Sequence, residues 1–302
     1  MDDGVWWTHL KPREIRDLML EKHQVQTSVG TVKRLLKEHR FRRRKAQKNV
    51  TMGRVPNRDE QFKNILRLRK LYEEDGNPVL SMDTKKKEHL GNFYREGRLY
   101  TQQVIQTNDH DFASAADGVV IPHAIYDLAL NHGYIHIGTS KDTSQFACDS
   151  IRHWWVTAGQ LLYPNATSIL LLCDGGGSNS SRYYIFKEEL QKLANEIGVE
   201  IRIAHYPPYC SKYNPIEHRL FPHVTRACQG VVFKSLELVR DLIARTTTTT
   251  GLSVTVAILD KVYLTGRKAS DTFRQAMPII FDDYLPKWNY RASPQAPPAT
   301  LI

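Results

Sequence analysis

The sequence predicts a mixed α/β sheet with helices on both faces, preceded by a small all-α module. Three observations lead there. The 302-residue chain carries a net charge of +10, and residues 1–58 hold 15 Lys/Arg against 6 Asp/Glu, so one short end carries nearly all of the excess. That end contains two helical patterns in close succession. From Pro78 onward, strand-like apolar runs come first and then alternate with amphipathic helical segments. A basic module for a polyanion joined to a near-neutral body is the arrangement implied.

Several classes are excluded. No stretch approaches the ~18 apolar residues of a membrane span, and MDDGVWWTHL lacks the basic start and apolar core of a signal peptide. Cys148, Cys173, Cys210 and Cys228 form no CxxC pair and no zinc spacing, which reads as buried thiols in a reducing cytoplasm.

In the amino-terminal module, KPREIRDLMLEKH places Ile15, Leu18 and Met19 at helical spacing, with Pro12 at the helix start. After QVQTS, the stretch SVGTVKRLLKEHRF begins with Ser28 as an N-cap and sets Val29, Val32, Leu35 and Leu36 on one face. Thr31, Lys33, Arg34 and Lys37 lie on the other. Two helices joined by a short turn, the second with a basic outer face, outline a helix-turn-helix. Arg40, Arg42, Arg43, Arg44 and Lys45 follow at once, a run suited to salt-sensitive contact with double-stranded DNA. A third helix is expected in such a module, so it reads as incomplete. Residues 1–52 are assigned to it, and 53–77 to a linker with a connecting helix over about 58–74.

The body is assigned to 78–291. PVLSMDT (78–84), GNFYREGRLY (91–100) and GYIHIGTS (133–140) read as strands, then KDTSQFACDSIRHWWVTAG (141–159) as a helix. SILLLCD (168–174) reads as a strand buried on both faces, SRYYIFKEELQKLANEIG (181–198) as a helix closed by Gly198, VEIRIAHY (199–206) as a strand and 214–230 as a helix. That order is the one found in ribonuclease-H-like domains. The Pro-rich tail, 292–302, is expected to be disordered.

Three carboxylates fall at element ends. Asp83 ends the first strand, Asp174 ends the buried strand where open α/β sheets form their ligand crevice, and Glu217 lies in the first turn of the helix after HYPPYCSKYNP. If the two strands are neighbours and the helix crosses their ends, the three converge. Held together they repel unless a divalent cation lies between them, and their hard oxygens suit Mg²⁺ or Mn²⁺, two of which serve phosphoryl transfer. Each residue also has a plain structural reading: a turn cap with Thr84 for Asp83, a tight turn with Gly175–Gly177 for Asp174, and a helix-dipole preference for Glu217. The glycines of DGGGSNSS read as a loop that lets a DNA backbone approach Asp174, since no GKS/GKT ending or GxGxxG pattern accompanies them.

VLSMDTKKKEHLGNF, YDLALNHGYIHIG, SIRHWWVTAG, LLLCDGGGSNSSR, HYPPYCSKYNPIEHRLF, TTTTTGL and the final WNY closely resemble the Rhodopirellula-type DDE transposases of bacterial insertion sequences. More distantly, PPYCSKYNPIE is similar to the closing motif of mariner-like transposases. The resemblance runs from about residue 5 to 291. It implies a ribonuclease-H-like catalytic domain, an Asp-Asp-Glu triad at Asp83, Asp174 and Glu217, two bound Mg²⁺ or Mn²⁺ ions, and a homodimer or higher assembly on DNA, cutting transposon ends and joining them to target DNA. Lys85, Lys86, Lys87, Arg182, His218 and Arg219 flank the triad in sequence and are expected to hold DNA phosphates. The competing expectation is a non-catalytic DNA-binding remnant of such an enzyme, and a third is a nuclease without joining activity. The threonine run 246–250 reads as a turn or β-prone segment with no function assigned.

Overall fold

A computed structural model describes residues 4–46 and 55–295. Two compact units divide at residues 52 and 53.

The first unit is built on α1 (Pro12–His23) and α2 (Val29–Glu38). Glu14 Oε2 accepts from the Lys11 backbone N–H at 2.6 Å, and Pro12 occupies the first turn, where a missing N–H costs nothing. Gln24, in the left-handed region at φ 55°, ends α1. Ser28 Oγ accepts from Thr31 N at 3.0 Å and starts α2, as the sequence predicts. Val32 is the one buried hydrophobic among this unit's described residues.

In the second unit, α3 (Arg58–Glu74) leads into β1 (Val79–Thr84), β2 (Glu88–Leu90), β3 (Gly118–Asp127) and β4 (His132–Gly138). Next come α4 (Ser144–Trp154), a π turn over 155–159, the single turn α5 (Gln160–Leu162), β5 (Ser168–Cys173), α6 (Tyr184–Ile197) and β6 (Glu200–His205). The chain continues through α7 (Pro215–Arg219), α8 (Phe221–Ala227), α9 (Leu236–Ala244), β7 (Ser253–Ile258), α10 (Asp271–Ala276), β8 (Ile280–Phe281) and β9 (Asn289–Ala292).

The sheet order is β7-β4-β3-β1-β5-β6-β9-β8, with β2 paired to β3. β3 runs antiparallel to β1 and β4, whereas β1, β5 and β6 are mutually parallel. This central arrangement of an antiparallel trio continued by two parallel strands is the ribonuclease-H-like sheet. On one face Leu80, Met82, Leu171 and Ile203 pack with Ile151, Trp154 and Leu190 from α4 and α6. On the other face α3 covers β1, β5 and β6 through Ile65, Leu68 and Tyr72. On that same face Ile216, Leu220, Phe221 and Val239, from α7 to α9, cover β3 and β4. The helix over 58–74 is thus a layer of the core as well as a connection.

Four details differ from the sequence reading. Residues 91–100 form no strand; the second long strand is β3, over 118–127. Pro122 sits inside β3 opposite Ile137, and a proline in a central strand ordinarily argues against one. Here its carbonyl accepts from Lys85 N at 2.9 Å. Gly97 in the 91–100 stretch has φ +140°, and a Cβ there would stand 2.6 Å from Gly230 N, so that segment docks closely as irregular chain. The expected helix over 214–230 is two helices, broken at Leu220. The sheet also runs one residue past 291, since Ala292 pairs with Ile201, and Gln295 N donates to Asn195 Oδ1; residues 296–302 of the tail lie outside the described residues. All four cysteines are buried and unbridged, and among the described residues no helix is long and apolar enough to cross a membrane.

Candidate active site

β1 and β5 are adjacent and parallel, in register at Met82 and Cys173, so the carboxylates that follow them emerge at the same sheet edge. Asp83 sits at the end of β1 on the face shared by Ser81 and Val79, because side chains alternate along a strand. Asp174 follows directly after Cys173. Glu217 arrives from α7, which a buried polar lock holds to β1. Asn214 Nδ2 donates to the Met82 carbonyl at 3.2 Å, Ser81 Oγ donates to Asn214 Oδ1 at 2.5 Å, and Ile216 N donates to Ser81 Oγ at 3.0 Å. Ser81 and Asn214 are both fully buried.

One oxygen of each aspartate is tied to the backbone. Asp83 Oδ1 accepts from Thr84 N at 2.7 Å, and Asp174 Oδ1 accepts from Gly176 N at 3.1 Å. Burial first, then the negative charges of Asp174 and Glu217, push Asp83 up to about 8. All three residues are half-buried. Among the described residues no set of three His, Cys, Asp or Glu side chains is already arranged as a metal cage. The donor set is nevertheless hard, anionic oxygen under mutual repulsion, which fits a divalent cation such as Mg²⁺ or Mn²⁺.

The Asp174 loop is fastened from below. His205 Nδ1 donates to the Asp174 carbonyl at 2.9 Å, and its Nε2 lies 3.0 Å from Tyr290 Oη. Burial lowers His205 to about 4, so the ring is neutral at pH 7. Lys187, buried and lowered to about 8 by that burial, donates to the Ser181 carbonyl with its ammonium 4.8 Å from the Tyr290 ring centroid. Thr84 Oγ1 donates to Asp142 Oδ1 at 3.2 Å, adding a fourth carboxylate beside β1, whose own pKa burial raises.

Sequence reasoning overlooked Ser81, Asn214, Asp142, Lys187 and His205. Asn214 alone carried a signal, since it precedes Pro215 at a helix start; the others act through contacts between distant segments.

The expected DNA-binding residues scatter. Lys85 and Lys86 line a cleft of about 350 Å³ with Arg95 and Phe233, and Lys85 Nζ lies 3.4 Å from Glu88 Oε1. Lys87 faces a separate cavity with Asp142 and Ser178. Arg182 borders a groove with Tyr209, Lys287 and Trp288. His218 and Arg219 line a further cleft with Tyr126, Asn131 and Thr248. In the first unit, Lys33, Lys37, Arg40, Arg42, Arg43 and Arg44 surround a groove with Trp6 and Trp7, which are 88% and 60% exposed. Lys45 is exposed. Thr31 Oγ1 lies 3.0 Å from Ser28 Oγ at the cap of α2, and Arg34 pairs with Glu38 at 2.7 Å.

The family model of the Rhodopirellula transposase DDE domain matches residues 1–294. No curated protein matches the chain. Among solved structures, the Mos1 transposase paired-end complex with left transposon end is 15% identical at a TM-score of 0.45, covering 80% of this chain and 72% of that one. A pre-cleavage Mos1 transpososome is 14% identical at 0.45 with the same coverage. The Mos1 mariner paired-end complex with Mn is 16% identical at 0.44, again over 80% and 72%.

Proposed function

The chain belongs to the Rhodopirellula-type DDE transposase family, and from that premise we propose that it cleaves transposon ends and joins them to target DNA, using Asp83, Asp174 and Glu217 as its acidic triad. The observation that carries this reading is the placement of Asp83 and Asp174 at the carboxyl ends of two adjacent parallel strands, with α7, which bears Glu217, locked onto β1 through Ser81 and Asn214. The three carboxylates would hold two divalent cations. Such cations would supply Lewis-acid activation of an attacking oxygen and stabilisation of a leaving one in phosphoryl transfer.

The protein's own part is positioning. Thr84 N and Gly176 N each occupy one carboxylate oxygen and leave the other free to turn toward the crevice. The Ser81–Asn214 lock fixes the height of Glu217 above β1. Neutral His205 and the buried Lys187 hold both limbs of the glycine loop, so a DNA strand can approach Asp174 without displacing it. DNA is held by the basic first unit and by cations around the catalytic unit, and two copies of the chain assemble on it.

The test is incubation of the full chain with Mn²⁺ and a duplex bearing the element's own terminal repeats. End cleavage and strand-transfer products are expected, and Asp174→Asn lowers their rate by at least about 100-fold. Undiminished cleavage by that variant removes Asp174 from the triad. DNA binding with neither cleavage nor a defined Mn²⁺ stoichiometry by calorimetry makes the chain a DNA-binding protein only. Cut DNA without joined products makes it a nuclease.

A further inference from the structure

The threonine run and the two residues that follow Glu217 meet in a cleft of about 330 Å³ on the α7–α9 face of the sheet. Its nitrogen-donor side is Arg219 with the imidazoles of His218 and His223, from α7 and α8. Its hydroxyl side is Thr248 and Thr250. Among the described residues no hydrogen bond or ion pair engages any of those three side chains, and His223 Nδ1 is buried without a partner. No carboxylate lines the cleft. The nearest on adjoining β3, Asp127, has Oδ1 bonded to Ala129 N and Leu130 N and Oδ2 to Tyr163 Oη. Glu217, on the same helix as Arg219, is not among the residues that line the cleft.

The hydroxyl side is built rather than loose. Asn131, at φ 51°, accepts from Tyr126 Oη at 2.8 Å and donates to the Thr250 carbonyl at 3.1 Å. Thr248 Oγ1 accepts from Leu252 N at 3.1 Å and lies 2.9 Å from Thr250 Oγ1. Two hydroxyls have two protons, and their mutual bond uses one. The other is left to donate into the cleft. A guanidinium, two imidazoles and a spare hydroxyl with no competing acid match the oxygens of a phosphate.

We propose that this cleft binds a backbone phosphodiester of the DNA substrate, with Arg219 as its charged ligand and the threonine turn as its neutral one. The assignment of DNA as the source rests on the transposase reading above. Because α7 carries both Glu217 and Arg219, a phosphate held here sets the register of the strand relative to the carboxylates.

The test is anisotropy with a labelled duplex of about 30 bp in EDTA across a salt series, which isolates binding from chemistry. Relative to wild type, Arg219→Gln is expected to bind about fivefold or more weakly at low salt and to reduce the slope of log K against log salt by about one. Thr250→Val is expected to weaken binding about twofold or more and keep the slope, since it removes a hydroxyl and no charge. Thr250→Val also serves if Arg219→Gln melts early. Wild-type affinity and slope in a folded Arg219→Gln protein, or wild-type affinity in Thr250→Val, overturn the proposal. Inorganic phosphate is the second probe: if it raises the melting temperature of wild type but not of Arg219→Gln, while duplex binding is the same in both, the cleft is a free-anion site and the DNA assignment fails. A wild-type chain that binds no duplex sinks the transposase reading as well, whereas equal binding sinks only the cleft.

Discussion

Asp83 keeps its proton in the metal-free protein at neutral pH, because burial and two neighbouring carboxylates oppose its charge. Its folded pKa of about 8 stands above the ordinary carboxylate value, so between about pH 4 and 8 the folded state binds a proton that the unfolded state has lost. Stability from this group therefore declines as pH rises through that window. Asp83→Asn is expected to raise the stability of the metal-free protein at pH 8 by on the order of 2 kcal/mol while abolishing cleavage, measured by urea unfolding and the end-cleavage assay. Mn²⁺ binding should release a proton at pH 7, which calorimetry in two buffers of different ionisation enthalpy detects. Two buried histidines act in the opposite direction. Burial lowers His123 to about 3 and His205 to about 4, so the unfolded chain takes up protons that the folded chain refuses as pH falls below about 6.5. Stability is expected to fall from pH 6.5 toward 4. His123→Phe should flatten part of that fall, since neither ring nitrogen of His123 has a partner among the described residues and its ring already lies 5.6 Å from Phe146.

Among the elements, α7 is short, and its five residues could not hold a helix without tertiary support. The Ser81–Asn214 lock supplies that support. Asn214→Ala leaves the Ser81 hydroxyl proton and the Met82 carbonyl without their partner in a dry site, so a loss of about 1–3 kcal/mol is expected. Cleavage should fall by more than Tm alone predicts, because Glu217 moves with α7; calorimetric melting and single-turnover cleavage measure the two effects. The long segment between β2 and β3 is anchored similarly, by close approach rather than regular structure. Gly97→Ala places a Cβ against Gly230 N, which is backbone and cannot rotate away. A destabilisation of about 2 kcal/mol is expected, read as a lower urea midpoint. β3 shows why an element escapes sequence reading. Its apolar pattern is clear, but Pro122 breaks the rule that central strands avoid proline, and only its neighbours supply the reason it is tolerated: its polar edge faces Lys85, one residue past the end of β1. β5 and β6, with no such conflict, were plain.

For the molecule as a whole, charge divides the work: nearly all of the net +10 lies before residue 59, ahead of the unit that carries the carboxylates. DNA affinity should therefore fall steeply with salt. Replacing Arg42, Arg43 and Arg44 together with Gln is expected to lower the slope of log K against log salt by about three without moving the melting temperature of the larger unit, measured by anisotropy and calorimetry.

The sequence by itself determined the class of sheet, the basic first module, and the three carboxylates offered for the site, because periodicity, charge runs and residues at element ends are local properties of the chain. The tertiary structure decided what those residues can reach. It separated Lys85 and Lys86 from Lys87, and joined Arg219 to a threonine run some thirty residues away in sequence. It also bound Ser81 to Asn214 across 133 positions. Such contacts arise from strand register and helix packing between distant segments, which no local pattern encodes.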